Sequence, residues 1–284
     1  MKLLARGRVL EFPRKPLVMG ILNLCADSFS GDGITDLDRA VARAKEMLAE
    51  GADIVDIGAE SARTNRAAMS EQEEAGALRS FVKRWPEIKH SSASADAPLL
   101  SINTWRPDVC RAVLQTGGDI LNDIGALPTD ENARICAETG AALLIMHSVG
   151  EPKIPHTHVS YDDVMERLER FFGEKLAMAE RAGLSPDAII LDPGIDFAKQ
   201  RDDNLRIYRE LARLKKFARP ILLPVSRKTV IGDVLGIKEP RERDAGTVAC
   251  MVAGMLRGAD IFRVHNVRAA AQAARIIAAA EAAE

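Results

Sequence analysis

Asn23, Asp56, Asn103, Asn122, Asp192, Ser226, Lys228, Arg263 and His265 share one trait: each stands where a short apolar run gives way to polar chain. Asparagine and aspartate gathered in one closed pocket suit a flat heterocycle, because a carboxylate accepts two N–H bonds while an amide both donates and accepts. The last two runs end differently, in Arg227, Lys228, Arg263 and His265. Those side chains form an anion site of the kind that holds phosphate. His156 and His158 have a zinc-ligand spacing, but they lie in a proline-bracketed segment of a chain with only five histidines, so a metal hydrolase is the weaker reading.

Eight runs deliver these groups: LVMGIL (17–22), DIVDIG (53–58), PLLSIN (98–103), DILND (119–123), AALLIMH (141–147), AIILD (188–192), PILLPVS (220–226) and ADIFRVH (259–265). Amphipathic stretches separate them, among them 36–50 closed by Gly51 and 161–182 closed by Gly183. Strands apolar on both faces, alternating with helices, describe a parallel sheet covered by helices. Eight such units in 284 residues predict an α/β fold with a single (β/α)8 TIM barrel domain over 1–284. No GxGxxG follows the first run, which argues against a doubly wound open sheet. The polar segment SSASADAP (91–98) reads as a loop on the bottom face. In such a barrel the chemistry belongs at the C-terminal strand ends, with phosphate beside the last two.

A formal net charge of -2 gives no electrostatic case for nucleic acid or an anionic membrane as partner, so small molecules are expected. The first residues lack a signal-peptide core and no run of about 18 apolar residues occurs, which predicts a cytoplasmic protein. Cys25, Cys110, Cys136 and Cys250 show no CxxC spacing and suggest neither zinc nor a redox dithiol.

The stretches MGILNLCADSFSGDG, DIVDIGAESAR, SINTWRPDV, LNDI, LIMH, LDPGIDFAK, VSRK and RVHNV, in this order over nearly the whole chain, resemble the dihydropteroate synthase family. The resemblance implies a barrel that joins 6-hydroxymethyl-7,8-dihydropterin diphosphate to p-aminobenzoate and releases pyrophosphate. It places the pterin against Asp56, Asn103, Asn122, Asp192 and Lys228, between Met146 and Phe197. Arg63, Arg263 and His265 would take phosphate oxygens, Ser226 and Lys228 would frame the p-aminobenzoate, and Asn23 would reach a magnesium ion (Mg2+) held by the diphosphate. Asp27, in the loop after the first strand, would stand near the cation-like carbon or take the amine proton, with Lys228 and Arg263 as the other catalytic groups. Family members also pair through their terminal helices, so a homodimer is expected.

This chain departs from the family pattern near the chemistry. Cys25 and Ala26 stand where Thr-Pro is usual, and Ala62 and Thr64 replace a threonine and a proline. Asn103 and Asn266 replace aspartates, and Asp196 stands where glycine is common. An amide at 103 cannot carry the charge of a carboxylate, which leaves open a pterin-binding homologue without the condensation; a pterin-dependent methyltransferase, whose pterin domain is also such a barrel, is the weaker alternative because Lys228, Arg263 and His265 are kept.

Overall fold

The computed structural model describes residues 1–25, 33–60, 69–92, 96–150, 152, 154 and 159–282. A hairpin of β1 (Lys2–Ala5) and β2 (Arg8–Glu11) comes first. The barrel strands follow: β3 (Leu17–Asn23), β4 (Ile54–Gly58), β5 (Leu99–Asn103), β6 (Ile120–Asp123), β7 (Ala142–Met146), β8 (Ile189–Asp192), β9 (Leu222–Leu223) and β10 (Ile261–Val264). Their order is β8-β7-β6-β5-β4-β3-β10-β9, with every pairing parallel. A parallel bridge between Leu191 and Ile221 joins the two ends, so the sheet closes into the expected (β/α)8 barrel. β9 is shorter than the run 220–226 predicts, because Pro220 and Pro224 lack the N–H groups a ladder needs.

Helices follow the strands: α1 (Leu37–Glu50), α2 (Glu71–Ile88), α3 (Pro107–Leu114), α4 (Glu131–Thr139), α5 (Val164–Arg181), α6 (Arg201–Glu210), α7 (Thr229–Leu235), α8 (Asp244–Met255) and α9 (Val267–Ala282). The ends of α1 match the sequence: the Asp36 carboxylate accepts the Arg39 N–H, and Gly51 closes the helix at φ +107. α5 begins later than 161 because Asp163 caps it, accepting the Glu166 N–H at 2.9 Å. Among the described residues no helix is long and apolar enough to cross a membrane.

Side chains alternate along a strand, so one register of each barrel strand faces the lumen. Low in the barrel that register is apolar, with Leu17, Met19, Ile54, Leu99, Ile120 and Ile261 in one buried cluster. Two residues further along the same strands it turns polar: Ile54 gives way to Asp56, Leu99 to Ser101, Ile120 to Asn122, Ile190 to Asp192 and Ile261 to Arg263. The opposite register, including Val18, Val55, Leu100, Leu121 and Phe262, packs under the helices.

The hairpin, which the sequence reading did not anticipate, plugs the bottom of the lumen with Leu3, Ala5, Leu10 and Phe12. Burying each large side chain contributes roughly 1.5–3 kcal/mol. Arg6 fixes the plug by donating to the Gly118 and Leu114 carbonyls at 2.6 and 2.7 Å. The described part of the 91–98 loop lies on this lower face as expected, where Arg8 donates to the Pro98 carbonyl at 2.9 Å.

Candidate active site at the barrel mouth

Asp56 organises the floor. It is fully buried, and its carboxylate accepts from Ser101 Oγ at 2.6 Å, from Asn122 Nδ2 at 3.1 and 3.2 Å and from Arg263 Nε at 2.8 Å. Asn103 Nδ2 stands farther off at 3.5 Å. The carboxylate thus orients four side chains from beneath, and Asp56 itself does not line the cavity above.

That cavity is about 300 Å³, lined by Asn103, Asn122, Asp192, Met146 and Phe197 and by Ser226, Lys228, Arg263 and His265. Asn23 and Cys25 complete the rim on the β3 side. Because Asn122 gives its amide N–H to Asp56, its Oδ1 is left buried without a protein partner. Asp192 Oδ1 accepts the Gly194 N–H at 2.7 Å. Burial lifts the Asp192 carboxyl to about 6, against the Gly194 N–H and the charges of Lys228, Lys199 and Arg263, which pull it down. An amide oxygen and a carboxylate held this way present acceptors to a ring bearing N–H groups.

The turn after β8 needs Gly194: its φ is +68, and an added Cβ would fall 2.0 Å from the His147 carbonyl oxygen. Lys199 reaches back beneath this turn, placing Nζ 2.9 Å from His147 Nδ1 and donating to the Phe197 carbonyl at 3.0 Å. Burial pushes the Lys199 ammonium down to about 7 and holds the His147 imidazole neutral, at about 2. His147 is therefore a support for the wall, and it does not face the cavity. Tyr161 adds another tie, donating to the Ala198 carbonyl at 2.9 Å.

Asp196 also takes a positive φ, +68, a conformation that costs a residue bearing a Cβ roughly 1 kcal/mol. Its carboxylate offsets that cost by accepting N–H groups of Thr229 and Val230 at the start of α7. Lys228, just before them, donates to the Ile195 carbonyl at 2.8 Å and holds Nζ 4.9 Å from the centre of the Phe197 ring.

The cationic wall differs from the sequence expectation in one member. Arg227 faces away at φ +56, with Nε and Nη2 on the two oxygens of Asp244 at 2.8 and 3.1 Å, so it belongs to a structural pair and not to the anion set. Arg243, whose role no motif signalled, sits behind the turn and donates to the Arg227, Lys228, Ile237 and Lys238 carbonyls at 2.7–3.2 Å. Ser226 Oγ lies 2.8 Å from His265 Nδ1 and accepts the His265 N–H at 3.1 Å, which locks the end of β10 to the loop after β9. Arg263 spends Nε on Asp56, while its side chain still borders the cavity.

Behind the rim, Arg106 bridges two carboxylates, Glu74 at 2.8 Å and Glu60 at 3.3 Å. Neither glutamate was singled out from the sequence. Asp27, Arg63, Ala26, Ala62, Thr64, His156 and His158 lie outside the described residues. No cluster of three or more His, Cys, Asp or Glu suited to a metal occurs among the described residues. The amide of Asn23 at the rim fits an ion that arrives with a phosphate ligand, since magnesium often takes few protein oxygens and completes its shell with phosphate and water.

The family model for pterin binding enzymes matches residues 19–265. Dihydropteroate synthase of Escherichia coli is 37% identical over 280 residues, covering 98% of this chain and 96% of that enzyme. The chain belongs to the dihydropteroate synthase family. A folate synthesis bifunctional protein of Arabidopsis thaliana is 38% identical over 279 residues, and the match spans 94% of this chain but only 57% of that longer protein. The structure of Yersinia pestis dihydropteroate synthase in complex with a sulfonamide drug superposes with a TM-score of 0.90 at 35% identity, covering 100% of both chains. The barrel of this dihydropteroate synthase family member gathers Asn122, Asp192, Lys228, Arg263 and His265, which match the resembled motifs, around one cavity with Asn103, which departs from them.

Proposed function

We infer that the chain acts as a dihydropteroate synthase, condensing 6-hydroxymethyl-7,8-dihydropterin diphosphate with p-aminobenzoate to give 7,8-dihydropteroate and pyrophosphate. One observation carries the reading: buried acceptors, Asn122 Oδ1 and Asp192, line the same cavity as the cationic Arg263 and His265. In this reading the pterin lies between Met146 and Phe197, with its N–H edge on Asn122 and Asp192 and with Asn103 and Lys228 beside it. Asp56 acts from below by fixing Asn122 and Arg263.

The reaction breaks the bond between the exocyclic methylene carbon and the diphosphate oxygen, and forms a bond from that carbon to the aryl amine nitrogen. The electron pair leaves with pyrophosphate, and the amine gives up a proton. Electron release from the dihydropterin ring makes an enzyme nucleophile unnecessary. The protein's work is to hold the two reactants in line, to stabilise the departing charge and to exclude water. Arg263 and His265, which line the cavity, take the departing oxygens in this reading, Arg63 is assigned the same task from its motif, and Ser226 and Lys228 frame the p-aminobenzoate. Asp27, from the loop after β3, is assigned the carbon or the amine proton. Magnesium bound by the diphosphate and Asn23 would neutralise charge on the leaving group.

The reading extends to a homodimer and to a cytoplasmic setting. Exposed Leu256 after α8 and Ile276 on α9, two helices that pack on each other, support an association face of the terminal helices. The buried thiols of Cys110 and Cys136, not joined in a disulfide, fit a reducing compartment. The decisive assay follows dihydropteroate and pyrophosphate together, with both substrates and magnesium present. Equal amounts of both support the reading. Bound pterin diphosphate with neither product overturns it in favour of a pterin-binding homologue.

A further inference from the structure

Among the described residues, the hydrogen bonds that join the loop after β8 to the loop after β9 and the start of α7 come from Asp196 and one lysine. The loop after β8 carries Ile195, whose carbonyl receives the Lys228 ammonium at 2.8 Å, and Phe197, whose ring centre lies 4.9 Å from it. Between them, the Asp196 carboxylate accepts the Thr229 N–H and, at 3.3 Å, the Val230 N–H. The residue is held in turn by Asn204, which donates Nδ2 to Asp196 Oδ1 at 3.1 Å and accepts the Asp196 N–H at 2.9 Å. The side chain also borders the cavity. A glycine, the common residue here in the resembled motifs, would suit the φ of +68 but would leave the first N–H groups of α7 without this acceptor.

We propose that Asp196 is a positioning residue for Lys228, clamping the Phe197 loop to the first turn of α7 so that the ammonium stays fixed where the two substrates meet. The substrates' identity rests on the reading above; the clamp itself rests on hydrogen bonds within the chain. Arg243 holds the same turn from the opposite side through the Arg227 and Lys228 carbonyls, so Lys228 is braced from both directions. Four charged groups bear on its ammonium: Asp192 at the end of β8 and Asp196 in the loop after it, which favour the charged form, and Arg263 from β10 and Lys199 from the β8 loop, which oppose it. Burial opposes it too, and most strongly. Losing Asp196 therefore moves Lys228 further down.

The test compares full-length Asp196→Gly and Asp196→Asn with the wild type by substrate kinetics, the pH profile of kcat/KM and amide hydrogen exchange of peptides spanning 226–235. Asp196→Gly removes the clamp while relieving the backbone, and is expected to speed exchange in that segment and lower kcat on the order of tenfold. Asp196→Asn keeps an acceptor without the charge. It should restore slow exchange and most of kcat, while the alkaline limb of its kcat/KM profile moves to lower pH. Unchanged exchange and kcat in Asp196→Gly would overturn the proposal, as would an alkaline limb that stays in place in both variants. Wild-type turnover is measured first; its absence overturns the substrate reading, and hydrogen exchange still decides the clamp.

Discussion

Arg263 Nε and Asp56 Oδ2 meet at 2.8 Å inside the lumen, tying β10 to β4 over the strand β3 between them although 207 residues separate them in sequence. The carboxylate is wholly shielded from solvent, and the guanidinium is one-fifth exposed toward the mouth. Removing either partner leaves the other uncompensated, which for buried pairs costs about 3–5 kcal/mol. Arg263→Ala is therefore expected to lower the urea midpoint as well as turnover. Arg263→Lys retains charge but not the guanidinium geometry, so it should recover stability more than rate. Equal recovery of both in Arg263→Lys would show that the pair serves the fold alone.

Much of this arrangement is legible in the sequence because period-2 alternation and strand ends are local features. Asp56, Asn103, Asn122, Asp192 and Arg263 are each found by reading to the end of an apolar run. What escapes is pairing across the barrel. Nothing local says that Asp56 supports Arg263 from below, that Arg227 turns to Asp244, or that Lys199 folds under its own loop to His147. The β1–β2 plug had a signal, two short alternating runs around Arg6-Gly7, whose φ values of +46 and +76 make a tight hairpin turn. Arg243 had none, because a guanidinium clamping four carbonyls looks in sequence like any surface arginine.

Gly194→Ala should be among the most damaging single changes. Its Cβ would lie 2.0 Å from the His147 carbonyl oxygen at a φ that already disfavours a side chain. The turn must shift, taking Asp192 and Phe197 with it. A stability loss of about 2–4 kcal/mol and near-complete loss of pterin binding are expected, read by thermal melting and by titration with the pterin diphosphate. Intact pterin affinity would show that the turn relaxes without moving the wall.

Asn266 explains one departure from the family pattern. Its Nδ2 donates to Asp244 Oδ2 at 3.0 Å, and its Oδ1 accepts the Ala269 N–H at 3.1 Å in the first turn of α9. Asn266→Asp keeps the cap but sets two carboxylates against each other, in competition for Arg227. The variant is expected to lose about 1 kcal/mol at neutral pH and to recover it as pH falls and one carboxylate takes a proton. A loss that persists at pH 4 would point to packing as the cause.

Asp192 and Lys199 give opposite pH signatures. The Asp192 carboxyl titrates in the folded state at about 6, above its ordinary 3.8, so folding favours its protonated form. Its contribution is present below about pH 4 and is lost as pH rises to about 6, on the order of 2–3 kcal/mol. Lys199 is lowered from 10.5 to about 7, so folding favours its neutral form, with stability present above about pH 10 and lost as pH falls toward 7. Asp192→Asn should therefore gain stability relative to the wild type between pH 4 and 6 and keep that gain at higher pH, while losing pterin affinity. Lys199→Met should lose stability relative to the wild type steadily as pH rises from 7 to 10, because the wild type alone gains stability there. Guanidinium melts of the three proteins at half-unit pH steps separate the two windows. A parallel offset at every pH would mean that neither group is perturbed, and that the cavity wall is held by hydrogen bonds without a charge cost.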